Sequence, residues 1–307
     1  MEISSSPGAE SPEVLSVQRR DFLFAASTAA ALARRGRAQD AATAAKLTRV
    51  GAMSGNFDGL LTEVRDWSRP ASPGKLDIMD FPEMLADRFH IHNVEVQQIH
   101  FLSMEPSYYK KFLDRLRKTH SRMVDMPLEL DEKGYSGTVS PCSPDPQIRA
   151  RAVDLTKQWI DRAALIECPS VMINQGTFGQ DLAPAIEALK TLRAYGESKK
   201  VYILMEPRGR STVDTMVEVI EASGIAANPD IGNFRDEATA ERGLRLLYPL
   251  ARTVSHVKYN PNRGLDFAKA IQISKELNFQ GVYSLETGGP DPYAAMQKVL
   301  DMLLQYL

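Results

Sequence analysis

Four residues in this sequence are placed to do chemistry together. They are Glu206 in "VYILMEPRG", Asp230 in "NPDIGNF", His256 in "VSHVKYN" and Glu286 in "YSLETGG". Each ends or closely follows a short apolar run, and the steps between them are 24, 26 and 30 residues. Taken singly, each has an ordinary structural explanation. Glu206 can pair with Arg208, Asp230 can form an Asx turn, His256 can be a hydrogen-bonded core residue and Glu286 can cap a helix. Brought to one place, three carboxylates and an imidazole repel one another unless a cation holds them. Three oxygen donors and one nitrogen, with room for substrate oxygens, suit one Mn²⁺, Mg²⁺ or Co²⁺ ion better than a structural zinc; zinc as a catalytic ion is also compatible.

The elements that must position these residues are legible as an alternation of short apolar runs and longer amphipathic ones. The runs read as strands are "LTRVGAM", "VEVQQIHF" (94–101), "RMVDMPLEL", "SVMINQG", "VYILME", "IAANPDIGNF", "TVSHVKYN" and "GVYSLET". A helical pattern follows each, the longest over 145–167 with an Asp-Pro start. Eight strand–helix units in one chain is the arithmetic of a (β/α)8 TIM barrel. A doubly wound nucleotide-binding sheet would need G-x-G-x-x-G after its first strand, and "GAMSGNFDG" lacks that spacing. In such a barrel, residues one unit apart lie at the same height on successive strand ends, where active sites form.

The first 38 residues are read apart from the barrel, which takes residues 39–307. Arg19 and Arg20 are followed by Phe22, Leu23 and an Ala-rich apolar segment, then by the small residues Gly36 and Ala38. That order predicts a twin-arginine signal peptide, the export machinery of that route as a partner, and a periplasmic or exported location. The late basic residues Arg34, Arg35 and Arg37 fit that route, and no Cys lies near the cut to carry a lipid anchor. Replacing Arg19 and Arg20 by Lys is expected to hold the protein in the cytoplasm, as cell fractionation would show. Recovery of the unaltered protein only from the cytoplasm, with residues 1–38 intact, would reject export. The two cysteines, Cys142 and Cys168, flank the long helix, whose ends stand roughly 30 Å apart. A disulfide needs Cα atoms within about 7 Å, so two free thiols are expected.

With these motifs in this order, the chain resembles the sugar isomerase/epimerase barrels related to xylose isomerase, the ketose 3-epimerases and the inosose dehydratases. "VEVQQIHF", "INQG", "MEPRG", "DIGNF", "HVK" and "SLETGGPDP" carry the likeness, which spans the chain beyond the signal. It implies that Glu206, Asp230, His256 and Glu286 ligate one divalent metal. Lys258, two residues after His256, faces the interior with it, where its ammonium either stabilises an oxyanion or forms a buried structural ion pair. Gln97, His100, Asn174, Arg208, Asn233 and Arg263 are further substrate-pocket candidates, and Asp125 belongs either to the pocket or to its wall. Two departures stand out: Pro207-Arg208 where the family often has Asn-His, and Asn233 where it often has His. Both change the surroundings of the metal, so no one relative's substrate can be copied across.

The expected chemistry is proton abstraction beside a carbonyl, with Glu206 and Glu286 as bases. Isomerisation or epimerisation follows if the proton is returned. A leaving group β to the carbanion turns the same site into a keto-sugar dehydratase or keto-glycoside lyase. The substrate is expected to be an unphosphorylated sugar, because in "ETGGPDP" Pro290 removes a backbone donor and Asp291 repels phosphate. Phosphodiester cleavage by a multi-zinc endonuclease needs more histidines than the five present, of which His90, His92 and His120 are not expected at the mouth. The net charge of −2 offers no footprint for nucleic acid either. A sugar-binding protein without catalysis would not need both glutamates. No membrane span is expected beyond the signal, and the oligomeric state is left open, a homo-oligomer included.

Overall fold

Apolar runs ending in polar residues become eight parallel strands, each followed by a helix. The structure is a computed structural model that describes residues 41–62, 75–130, 139–173, 175–208, 212–259 and 266–307. Residues 1–38, with the expected twin-arginine signal, and Asn174 and Arg263 lie outside the described residues. The strands are β1 (Val50–Met53), β2 (Asn93–Glu95), β3 (Arg122–Pro127), β4 (Ser170–Ile173), β5 (Tyr202–Met205), β6 (Ala226–Ala227), β7 (Val254–Lys258) and β8 (Val282–Glu286). The helices after them are α1 (Phe81–Phe89), α2 (Pro106–Lys118), α3 (Pro146–Leu165), α4 (Ala183–Lys199), α5 (Val213–Ser223), α6 (Glu237–Leu247), α7 (Phe267–Glu276) and α8 (Pro292–Tyr306). Sheet order runs β6-β5-β4-β3-β2-β1-β8-β7, all parallel, which is the curled sheet of a TIM barrel.

The seam between β6 and β7 is closed mainly outside the regular ladder. Pro229 has no N–H to give, so β6 stops after two residues instead of running through "IAANPDIGNF". One isolated bridge, Ala227 to Ala251, joins the edges. Above it Asn228 Oδ1 accepts the His256 N–H at 3.0 Å, Ser255 Oγ donates to the Pro229 carbonyl at 2.6 Å, and the Ile231 N–H reaches the His256 carbonyl at 3.1 Å. Side chains replace the missing strand and fix His256 from its own backbone.

A second departure lies in "VEVQQIHF". The strand ends at Glu95, and Gln98–His100 form a 3-10 turn. The Gln98 amide pairs with both backbone groups of Glu129, at 2.7 and 2.6 Å, and the Gln97 N–H goes to Ser54 Oγ at 2.9 Å. Side-chain partners thus satisfy groups that a longer strand would have placed in the ladder.

Inside the barrel, Val124, Met172, Leu204, Ala226, Val254 and Val282 form a buried apolar floor. Strand periodicity then stacks the site above it. Val254 pairs with Val282, His256 with Ser284 two residues on, and Lys258 with Glu286 two residues further. A larger core packs the helices onto the outside of the sheet, through Tyr109, Trp159, Leu192, Ile220, Leu244 and Leu300 among others. Asp145 and Asp291 cap α3 and α8, each followed by proline, so Glu286 is not needed as the last helix cap. Both cysteines are free and buried, as the helix between them required. No helix among the described residues is long and apolar enough to cross a membrane.

Candidate metal centre

Glu206, Asp230, His256 and Glu286 converge. Each offers a ligand atom within 4.8 Å of those of the other three. Glu206, Asp230 and His256 are almost wholly buried, while Glu286 keeps 20% of its side chain exposed at the mouth. The carboxylates divide their oxygens between the protein and the centre. Glu206 Oε1 faces Arg208 Nε at 3.2 Å; Asp230 Oδ2 and Glu286 Oε1 take Lys258 Nζ at 3.1 and 2.7 Å. The remaining glutamate oxygens, Glu206 Oε2 and Glu286 Oε2, lie 3.3 and 3.4 Å from His256 Nδ1.

Two loops make this arrangement possible. The Gly232 N–H donates to Asp230 Oδ1 at 2.8 Å, holding that carboxylate in an Asx turn. A side chain at Gly232 would stand 2.5 Å from Lys258 Cβ, so glycine also gives the lysine stem its path. Asn56, after β1, donates to the Leu285 carbonyl at 2.9 Å and accepts the Thr287 N–H at 2.7 Å. It thereby pins the backbone on both sides of Glu286.

The charges set the protonation. Burial works to raise Glu286, but the His256 and Lys258 contacts outweigh it and hold the carboxyl at about 2. Glu206 is likewise kept below its usual range by Arg208 and His256 against the cost of burial. Asp230 is pushed up to about 6 by burial and by the two glutamates, despite Lys258. Burial alone would lower His256, but Glu95 and the centre's carboxylates raise it well above its ordinary value. Lys258 is raised for the same reason, its burial outweighed by Asp230 and Glu286.

His256 Nδ1 and Glu206 Oε2 are buried polar atoms with no hydrogen-bond partner among the described residues. That is the environment a cation would complete, and the donor set of three carboxylates and one imidazole fits a divalent ion.

Beneath the four lie two residues that the sequence reading did not assign to the metal site. Glu95, fully buried at the end of β2, takes His256 Nε2–H at 2.7 Å. Asp125, fully buried on β3 and paired in register with Glu95, accepts from Ser170 Oγ at 2.6 Å. Asp125 therefore belongs to the interior below the mouth. The available signal was a charge set between valines in "VEV". Burial, and then Glu95, push the Asp125 carboxyl up to about 8, far above the roughly 3.9 of an unfolded chain. The folded state thus keeps a proton that the unfolded chain gives up. Its contribution to stability is intact below about pH 4 and is lost as the pH rises toward 8. Asp125→Asn, of the same shape but unable to ionise, is expected to remove that loss. Urea unfolding should then find the variant gaining on the wild type from pH 4 to 8, and equal slopes in both proteins would contradict this.

The other expected pocket residues are dispersed. Arg208 links Glu206 to the buried Glu129, whose Oε1 is 3.4 Å from Arg208 Nη1. Asn233 Oδ1 accepts from Lys258 Nζ at 3.0 Å, while its buried Nδ2 has no hydrogen-bond partner among the described residues. Gln97 is buried against Gly55. His100 is also fully buried and stands outside the four-residue cluster. Ser54 Oγ accepts the Gln97 N–H and shares a hydrogen bond with His100 Nδ1 at 2.8 Å, with Nε2 3.3 Å from Asp58. Beside the centre opens a cleft of about 570 Å³, reached past Arg208 and Asn233 and walled by Pro207, Met216, Phe234 and Arg242.

Solved structures share this fold. A xylose isomerase domain protein from Planctomyces limnophilus has 16% identity and a TM-score of 0.64, covering 84% of this chain and 96% of its own. A xylose isomerase-like TIM barrel protein from Mycobacterium smegmatis, in complex with magnesium, has 14% identity and a TM-score of 0.59, over 84% and 97%. D-allulose 3-epimerase from Methylomonas sp. has 14% identity and a TM-score of 0.62, over 84% and 98%. No curated protein sequence matches the chain. Residues 89–306 match the family described as xylose isomerase-like TIM barrel, and the chain belongs to that family.

Proposed function

We propose that this protein is a metal-dependent sugar isomerase or epimerase, acting by proton abstraction beside the carbonyl of an unphosphorylated sugar or keto-sugar. One observation carries the reading. His256, with Nε2 engaged by Glu95, turns Nδ1 toward Glu206 Oε2 and Glu286 Oε2, and Nδ1 and Glu206 Oε2 have no hydrogen-bond partner among the described residues. A divalent cation held by Glu206, Asp230, His256 and Glu286 would polarise a substrate carbonyl and make the adjacent C–H acidic.

The chain's own residues supply the rest. Glu206 and Glu286 are both held in the ionised form, so either can accept a proton, and they reach the centre from separate strands. One removes the proton and becomes a carboxylic acid, which can return that proton to the neighbouring carbon. For delivery to the opposite face the other glutamate must first take a proton from water, and the first then gives its own back to water. Lys258 brings a positive charge for a developing oxyanion, and Asn233 Nδ2 is a donor for a substrate hydroxyl. The Methylomonas epimerase in complex with D-allulose and an L-ribulose 3-epimerase among the structural neighbours support a sugar substrate. The magnesium complex supports a divalent ion. An exported location, proposed from Arg19 and Arg20, would keep the enzyme away from the cytoplasmic pool of sugar phosphates.

The test is to reconstitute cation-free protein with Mn²⁺ and follow free, oxidised and glycosidic sugars by NMR in D₂O. Deuterium should enter beside the carbonyl of a free keto-sugar. No exchange with any unphosphorylated substrate, together with rapid turnover of a sugar phosphate, would overturn the reading.

The cleft favours a second reading, β-elimination from a keto-glycoside. It begins at Arg208 and Asn233 and extends between the starts of α5 and α6, offering space for a group attached to the reacting sugar. Ala238 is exposed on its wall in the first turn of α6. Ala238→Trp should fill this space without disturbing the core. If glycosides are the substrates, their turnover should fall about tenfold or more while exchange on the free sugar persists, since a sterically filled subsite costs on the order of 1–3 kcal/mol. Equal activity of both proteins on glycosides would dismiss the cleft.

A further inference from the structure

His256 is gripped from both sides. Its Nδ1 faces the centre, while its Nε2 lies 2.7 Å from Oε1 of Glu95, a residue 161 positions away on β2. Glu95 has no exposed surface. A fully buried carboxylate is costly to desolvate, and an apolar residue could fill the same space at the end of a short interior strand. The contact itself shows what the carboxylate does. It occupies Nε2, so Nδ1 is the ring nitrogen left to face the centre. The ring is held from behind as well, by the Asn228 contact to the His256 backbone N–H.

We propose that Glu95 is a positioning residue for the cation centre: by engaging Nε2 it fixes the His256 ring with Nδ1 aimed at the point shared by Glu206 and Glu286. This rests on the reading of the four residues as a cation site. Second carboxylates of this kind orient ligating imidazoles and raise their basicity. The neighbouring group of Glu95, Asp125 and His256 is not a rival cation site. It offers three protein atoms, is closed to water that could fill further coordination positions, and two of those atoms already bond each other across the Glu95–His256 contact.

The experiment uses the full chain and Zn²⁺ as a diamagnetic probe. In protein labelled with ¹⁵N-histidine and loaded with Zn²⁺, long-range ¹⁵N–¹H spectra should show His256 bound through Nδ1 and protonated at Nε2, with one ion per chain. Glu95→Gln should weaken Zn²⁺, measured by chelator competition, by about 10–100-fold. Its metal-free unfolding temperature should change little, a separation that a purely structural role would not produce. Ligation through Nε2, two ions per chain, or unchanged affinity in Glu95→Gln would overturn the proposal. If that variant does not fold, the tautomer and stoichiometry of the wild type still decide the question. Zn²⁺ retained in Asp230→Ala, or none bound by the wild type, would instead bring down the cation-site reading, and this inference with it.

Discussion

Asp230→Ala is expected to lose its divalent cation and its turnover together. Among the described residues, Glu95, Glu206, Asp230 and Glu286 bring four carboxylates to His256, against Arg208 and Lys258. A bound cation relieves that excess, and Asp230 is a fully buried ligand with a turn built to hold it. Its removal deletes one ligand and leaves the Lys258 ammonium on Glu286, where it competes with the ion for that carboxylate. A cation's stabilisation of developing charge amounts to several kcal/mol, so turnover should fall by about three orders of magnitude. Elemental analysis and NMR turnover measure the two losses. Full occupancy with normal turnover would reject the ligand assignment.

The same carboxyl gives the wild type a pH signature. Asp230 is pushed up to about 6 in the cation-free protein, chiefly by burial and by the two glutamates. A cation must displace that proton, so affinity should weaken as the pH falls through about 6 and strengthen above it. Added cation should also raise the unfolding temperature of the wild type, because it binds only the folded chain, and leave Asp230→Ala nearly unmoved. An unfolding temperature indifferent to Mn²⁺ in the wild type would argue against any resident ion.

Glu206→Gln and Glu286→Gln are expected to lower two-base isomerisation by about 10²–10⁴-fold each, the usual worth of a positioned acid or base. The two environments differ, and so should the variants. Glu206 is buried and tied to Arg208, whereas Glu286 stands partly exposed and tied to Lys258. If Glu286 removes the proton, Glu206→Gln should still exchange substrate hydrogen in D₂O while forming little product. With the roles reversed, Glu286→Gln should show the exchange. Cation content must be measured in parallel, because each amide is also a poorer ligand. Normal product formation by either variant at full occupancy would remove that residue from the mechanism.

How much of this was legible beforehand follows from where each signal resides. The barrel and its four ligand candidates were readable because strand–helix units repeat at nearly constant length. Residues one unit apart therefore arrive at the same height, and Lys258 follows His256 inward because strand side chains alternate. The free cysteines were readable for a similar reason, since a helix of known rise kept them apart. These features depend on local periodicity, which a sequence carries in full.

Tertiary structure decided the rest. Glu95 meets His256 only because closing the barrel brings β2 and β7 across from each other, and no spacing along the chain encodes that pairing. The two-residue β6 and its side-chain seam, the 3-10 turn after Glu95, and the burial of His100 between Ser54 and Asp58 likewise arise from long-range hydrogen bonds. The sequence by itself determined which residues could serve a cation. Folding determined which oxygens are already taken by Arg208 and Lys258, and which nitrogen of His256 is left to face the centre, because desolvation and pairing act on atoms brought together from distant parts of the chain.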